Sequence, residues 1–243
     1  ERIKVFDVWV NIWRGGPPAT QAGERAGEGP PLFILPGWNG TFSVYKDLLE
    51  EFANSGFSVY AIEFPGSGKS DAPPREWRFN DFVCLVDAVY GYYGITEDAY
   101  VFGHSWGSVT ALQFARYFPY RVKKLALVSS PVLKKGRVHI GKVNINMKMP
   151  SWLFDSGFWL FAVLLKPSFW AMRIFALLAK VLPLHKIWRR LHYLKVQFAA
   201  YWLNRQYLFL TNNKGIMRKV LRAMIEIDSA EDAQSVDVPA LLA

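Results

Sequence analysis

Cysteine is almost absent from this chain: Cys84 stands alone among 243 residues. A single thiol excludes an internal disulfide and any structural zinc site built from cysteine pairs. Histidine is scarce too, with four residues and none after His192. No His-Glu-x-x-His run, Walker phosphate loop or dinucleotide-binding glycine fingerprint occurs, and neither a metal nor an organic cofactor is implied. Long apolar runs are missing. Residues 156–165 are free of charge, but Lys166, Arg173 and Lys180 interrupt the residues after them, and a membrane-spanning helix needs about 20 apolar residues. Internal repeats are lacking. Acid is lacking in one region: between residues 134 and 225 the sole carboxylate is Asp155.

What is present is uneven. The net charge is +9 over the whole sequence. Residues 1–133 carry 12 basic and 14 acidic side chains, residues 134–225 carry 17 and one, and residues 226–243 carry none and five. The basicity therefore belongs to one block, which also holds five of the ten tryptophans. A basic, aromatic block suits an anionic substrate group or an anionic membrane surface, and equally suits long basic stems laid over an apolar core. It comes with no recognised nucleic-acid motif, so nucleic acid is not expected as a partner. The length suits one large domain or a domain carrying an insertion.

Hydrophobic patterning divides the chain in the same way. Residues 3–13 are rich in Val, Ile and Trp and predict one long or two short strands. Residues 14–31 are a Gly/Pro-rich loop. Then come a buried-looking strand at Leu32–Leu35, a helix at 43–55 closed by Gly56, and a strand at Phe57–Ile62. After these stand a helix at 81–93 with Asn80 as N-cap, a strand at Ala99–Gly103, a helix at 106–118 stopped by Pro119, and a strand at Leu125–Ser129. Short apolar strands alternating with amphipathic helices predict an α/β fold, a mainly parallel sheet with helices on both faces. From residue 134 the alternation gives way to a pattern that reads as helical, with Ile187, Leu191, Leu194, Phe198 and Trp202 on one face. Residues 236–242 read as a strand again.

One motif carries chemistry. Gly103-His104-Ser105-Trp106-Gly107 falls between a predicted strand and a predicted helix. A nucleophilic serine needs such a sharp strand-to-helix turn, with small flanking residues where backbones pass closely. The amides at the helix start can receive an oxyanion. Ser105 is thus the candidate nucleophile, and Gly103 and Gly107 the elbow glycines.

With this motif the chain resembles the α/β-hydrolase fold superfamily. Leu35-Pro36-Gly37-Trp38-Asn39-Gly40 resembles the family's oxyanion loop, Glu63-Phe64-Pro65-Gly66-Ser67-Gly68-Lys69-Ser70 resembles its D-x-P-G-x-G-x-S segment, and Phe118-Pro119 through Val128 resembles the stretch after the elbow helix. Pro36 and Glu63 stand where the family often has His and Asp. Ser at 105, where haloalkane dehalogenases and epoxide hydrolases have Asp, separates the chain from those branches. The resemblance implies a hydrolase core in residues 1–133, a basic helical cap at 134–225 and a return to the core at 226–243. It implies that the amides of Trp38 and Trp106 form the oxyanion hole, and that Ser105 attacks an acyl ester or related carbonyl of lipophilic character.

The family's order of nucleophile, acid and base places the acid and base beyond Ala243, as if the sequence were cut short by about 40–60 residues. An internal alternative is Asp155 with His185 or His192. His139 reads as a surface or cap residue, His104 as elbow packing, and Glu63 and Asp71 as structural loop carboxylates. The expected partners are a small acyl substrate and an anionic membrane surface, with a cytoplasmic or membrane-peripheral setting. A non-catalytic binding protein on the same fold, or a lipase-like protein associated with a membrane surface, is the alternative. Oligomeric state has no signal in the sequence.

Overall fold

A computed structural model of the chain describes residues 1–17, 29–73, 77–134, 137–140, 143–146 and 227–242, with four single helical positions at Leu160, Leu164, Trp170 and Ile174. It divides into two compact units, residues 1–148 with 219–243, and residues 149–218. The described elements of the first unit are β1 (Arg2–Val5), β2 (Val8–Gly15), β3 (Pro31–Leu35), α1 (Phe42–Asn54), β4 (Ser58–Glu63), α2 (Phe79–Tyr92), β5 (Ala99–His104), α3 (Trp106–Tyr117) and β6 (Val122–Val128). After these come β7 (Val132–Lys134), β8 (Arg137–Ile140), β9 (Val143–Asn146), a short helix α4 (Ser229–Gln234) and β10 (Ala240–Leu242).

Seven strands form one sheet in the order β1-β2-β4-β3-β5-β6-β10. The β1–β2 hairpin joins antiparallel, and every pairing from β4 to β10 is parallel. The mixed, mainly parallel sheet is the one the alternation predicts. All residues of β3 and β4 are buried, which is why they read as unbroken apolar runs rather than as alternating ones.

Successive side chains of a strand point to opposite faces, and the two faces have different covers. Leu32 and Ile34 of β3 and Val59 and Ala61 of β4 pack with Leu49 and Ala53 of α1. Phe33, between them in sequence, stacks on Tyr90 of α2 at 4.0 Å, and Tyr90 packs in turn on Phe114 of α3 at 5.6 Å. Helices therefore cover both faces. Each fully buried aromatic or branched side chain in these layers contributes about 1.5–3 kcal/mol.

The boundaries differ from the sequence reading at several places; β6, for one, begins at Val122 rather than Leu125. Helix α2 begins after Arg78, not Asn80; the Asp81 carboxylate accepts the Arg78 N–H at 2.6 Å and closes the first turn. The reading of residues 134–225 as helical fails at its start, because β7, β8 and β9 form a three-stranded antiparallel sheet. Val138, Ile140, Val143 and Ile145 are β-branched residues spaced by two within each strand, a strand pattern that the density of Lys and Arg obscures. The expected strand at 236–242 forms at Ala240–Leu242 only, parallel to β6. The helix face from Ile187 to Trp202 lies outside the described residues.

The return segment is held by charge. Asp232 of α4, 2 % exposed, accepts hydrogen bonds from Gln113 and Arg116, both on α3. Ser229 ties the same helix to the backbone of Leu133, whose N–H it accepts at 2.8 Å.

Candidate functional site

Strand β3 lies between β4 and β5, with Leu35 beside Gly103. The connection from β3 leads by way of α1 to one neighbour, β4, while β5 leads by way of α3 to β6 on the other side. Such a switch in direction opens a crevice at the carboxyl ends of the strands. Two loops meet there: residues 36–41 after β3 and residues 104–106 after β5.

Ser105 stands at the turn from β5 into α3 with φ +52° and ψ −114°. A non-glycine residue in this region costs about 1–3 kcal/mol and persists only where its surroundings hold it. Here the holders are explicit. The Ser105 N–H donates to the Val128 carbonyl at the end of β6 (2.9 Å), and its own carbonyl receives Ser108 N–H at 3.0 Å and the Ser108 hydroxyl. The two elbow glycines allow the approach that the turn demands. A Cβ on Gly107 would lie 2.0 Å from the Leu35 carbonyl oxygen, and one on Gly103 would lie 2.5 Å from Ser108 Cα.

The β3 loop reaches the same point. A Cβ on Gly37 would come within 3.3 Å of Ser105 Cβ and 2.9 Å of His104 Nδ1. The Gly37 carbonyl accepts Gly40 N–H at 2.8 Å, a tight turn in which Asn39 takes φ +51°. The rings of Trp38 and Trp106 meet edge-to-face at 5.6 Å, and Trp106 continues into Phe79 (5.2 Å) and Phe82 (6.0 Å) of α2. The structure thus brings together Trp38, Ser105, Trp106 and both elbow glycines. Trp106 belongs to a buried aromatic cluster.

His104 does more than pack. Tyr45 of α1 accepts the Gly37 N–H at 2.9 Å, and its hydroxyl lies 2.7 Å from His104 Nδ1. Burial lowers the His104 pKa from its ordinary value and raises that of Tyr45, the Gly37 hydrogen bond opposing the latter. Both groups are neutral near pH 7. Tyr45, Leu48, Leu49 and Phe52 fall on one face of α1 by their spacing, and that periodicity records the Tyr45 ring but carries no trace of the hydroxyl's partners.

Glu63 and Asp71 are structural, as expected. The Glu63 carboxylate, 3 % exposed, accepts from Asn11 Nδ2 (2.9 Å), Phe42 N–H (3.0 Å) and Lys69 N–H (2.7 Å). Phe42 is the first residue of α1, and Thr41 before it makes no side-chain cap, so a carboxylate from β4 caps the helix that follows the loop after β3. Asp71 pairs with Arg2 at the surface.

Among the described residues no side chain is hydrogen-bonded to Ser105 Oγ. Asp155, His185 and His192 lie outside the described residues, and so does the side chain of His139. A cavity of about 370 Å³ lies elsewhere in the first unit, lined by Leu32, Phe52, Phe57, Tyr100, Leu125 and Leu241 among others, and includes none of the candidate site residues.

Comparison with known proteins agrees with this geometry. A hydrolase of Paraburkholderia phymatum described as acting on 2-hydroxy-6-oxononadienedioate and 2-hydroxy-6-oxononatrienedioate is 32% identical over 126 residues, covering 49% of this chain and 43% of that protein. The pimeloyl-[acyl-carrier protein] methyl ester esterase of Chromobacterium violaceum is 33% identical over 107 residues, covering 44% of this chain and 39% of that protein. The bifunctional epoxide hydrolase 2 of Sus scrofa is 28% identical over 109 residues, covering 44% and 20%. The matches thus span less than half the length of these curated relatives. Among solved structures, the enol-lactonase of Burkholderia xenovorans superposes with a TM-score of 0.64 at 17% identity, over 100% of this chain and 80% of that one. A family pattern described as alpha/beta hydrolase fold matches residues 30–235. With the sheet order, the strained Ser105 elbow and this match in agreement, the chain belongs to the alpha/beta hydrolase fold family.

Proposed function

We propose that this protein is a serine hydrolase that cleaves an acyl ester, or a related carbonyl substrate of lipophilic character, through an acyl-enzyme at Ser105. The observation that carries the reading is a serine in the strained elbow conformation at the start of α3, beside the loop after β3. Ser105 Oγ adds to the substrate carbonyl as a base takes its proton. Negative charge develops on the carbonyl oxygen, and the backbone amides of Trp38 and Trp106 receive it. Collapse expels the alcohol with a proton, and water repeats the sequence on the acyl-enzyme. The base and its acid partner are not among the described residues brought to Ser105.

Similarity to epoxide hydrolases does not carry that activity here. Opening an epoxide through an alkyl-enzyme ester requires a carboxylate nucleophile, and residue 105 is a serine. A fluorophosphonate probe tests the proposal directly. Wild-type protein becomes labelled and Ser105→Ala does not; p-nitrophenyl esters are hydrolysed and styrene oxide is not. Equal labelling of both proteins would remove the serine mechanism and favour a binding protein on a hydrolase fold.

One observation favours association with an anionic membrane surface as well. Leu160, Leu164, Trp170 and Ile174 are helical and each more than half exposed, within a sequence block of 17 basic residues and one acid. Exposed apolar residues beside excess Lys and Arg suit a lipid interface. Flotation with phosphatidylserine-containing vesicles, and not with phosphatidylcholine alone, is the expected result. Equal flotation with both vesicle types would refute electrostatic docking.

A further inference from the structure

We propose that Tyr45 and His104 are positioning residues for the chemistry at Ser105: the Tyr45 hydroxyl fastens the Gly37 amide to the His104 ring, and so locks the loop carrying Trp38 to the strand end carrying the nucleophile. The inference rests on the serine-hydrolase reading and assigns that site a joint.

A phenol has one proton to give. The Gly37 N–H can only donate, so the Tyr45 oxygen accepts it (2.9 Å); we assign the phenolic proton, which that bond leaves free, to His104 Nδ1 at 2.7 Å. That assignment makes Nδ1 an acceptor and puts the ring proton on Nε2. The three partners come from different parts of the chain: a loop after β3, the first turns of α1 and the last residue of β5. Tyr45 is eight residues from Gly37 and 59 from His104.

What the joint fixes is the place of one residue and of the peptides on either side of it. Gly37 is held on its N–H by Tyr45 and on its carbonyl by Gly40 N–H at 2.8 Å. Its Cα packs so closely on His104 and Ser105 that a methyl group there would reach 2.9 Å from Nδ1. The peptide joining Gly37 to Trp38 carries the amide proposed to meet the oxyanion. An oxyanion donor works only if it is placed before the charge appears, and displacement of a positioning group by about 1 Å can cost on the order of a hundredfold in rate. Tyr45 touches neither substrate nor Ser105 Oγ; it acts through the loop.

The test uses Tyr45→Phe, His104→Asn and His104→Leu in the full-length protein, with two readouts: hydrogen exchange at the Gly37 amide and the rate constant for fluorophosphonate labelling of Ser105. Tyr45→Phe deletes the acceptor for Gly37 N–H, and exchange there is expected to accelerate by about tenfold or more while labelling slows by a similar factor. His104→Asn places Oδ1 where Nδ1 stood and keeps an acceptor for the Tyr45 proton, so labelling stays within about threefold of wild type. His104→Leu fills the space without an acceptor and falls with Tyr45→Phe. A role in packing alone predicts the reverse order, with Leu tolerated better than Asn, and that order would overturn the inference. So would a Tyr45→Phe protein within about twofold of wild type in both readouts. If wild type labels no better than Ser105→Ala, the serine reading fails by itself, and the Gly37 exchange still decides whether the joint exists.

Discussion

Replacing Glu63 by Gln alters the shape of one buried side chain by almost nothing and its hydrogen bonding by a great deal. The carboxylate takes Asn11 Nδ2 and Lys69 N–H on Oε2, and Phe42 N–H on Oε1. A glutamine can offer its one oxygen to the first two, and then its NH₂ group faces the Phe42 N–H. A buried donor left without an acceptor costs about 1–3 kcal/mol, and the other two bonds lose the gain from a charged acceptor, about 0.5–1 kcal/mol each. The sum is a destabilisation of about 2–5 kcal/mol. Urea unfolding followed by tryptophan fluorescence should show it as a lower midpoint at unchanged slope. Because Phe42 begins α1 and Tyr45 lies three residues further on, labelling of Ser105 should slow as well. A companion variant, Asp71→Asn, removes only a surface pair whose partners are 44% and 51% exposed, and should change stability by less than about 1 kcal/mol. A Glu63→Gln protein within about 0.5 kcal/mol of wild type would refute the claim that the carboxylate caps α1.

Three further outcomes are expected. Gly107→Ala puts a methyl group against the Leu35 carbonyl at 2.0 Å, so fluorophosphonate labelling should be lost and the melting temperature should fall by an amount equivalent to about 1–3 kcal/mol. Asp232→Ala leaves Gln113 without its buried partner, costs about 1–3 kcal/mol and should raise hydrogen exchange at β10 more than at β3. For His104 the folded pKa lies below its ordinary 6.5 because burial disfavours the charged ring. The unfolded chain then binds more protons between the two values, so stability is full above about 6.5 and declines as pH falls toward the folded pKa. Melting temperature against pH should show this decline flattened in His104→Asn.

The parts of the fold that the sequence announces are those whose side chains answer to a single environment. Strands β3 and β4 are buried on both faces, so their apolar runs mean one thing. The elbow is legible because Gly103 and Gly107 are required by backbones that would collide with any Cβ. Two features are hidden for opposite reasons. In β8 and β9 the alternation of β-branched residues is present but masked by charge, since Lys and Arg at these densities also suit the exposed side of helices. At Tyr45 nothing in the periodicity can show that the hydroxyl meets Gly37 and His104, residues that the fold alone brings near it. The N-cap of α2 lies two residues before the expected one because Asn80 is the better capping type, while Asp81 reaches back from inside the first turn.

The attachment of Asp232 to Gln113 and Arg116 spans 119 and 116 residues of chain. Closing so long a loop is entropically expensive, yet the expense grows only with the logarithm of loop length, about 0.6 kcal/mol for each doubling. A single buried carboxylate bound to a glutamine and an arginine is of the size needed to offset such increments. The segment between β9 and α4 can therefore lengthen, shorten or be replaced over evolutionary time while the sheet registers little change. Such changes carry small thermodynamic risk to the core, provided that the clasp at the far end of the segment is kept.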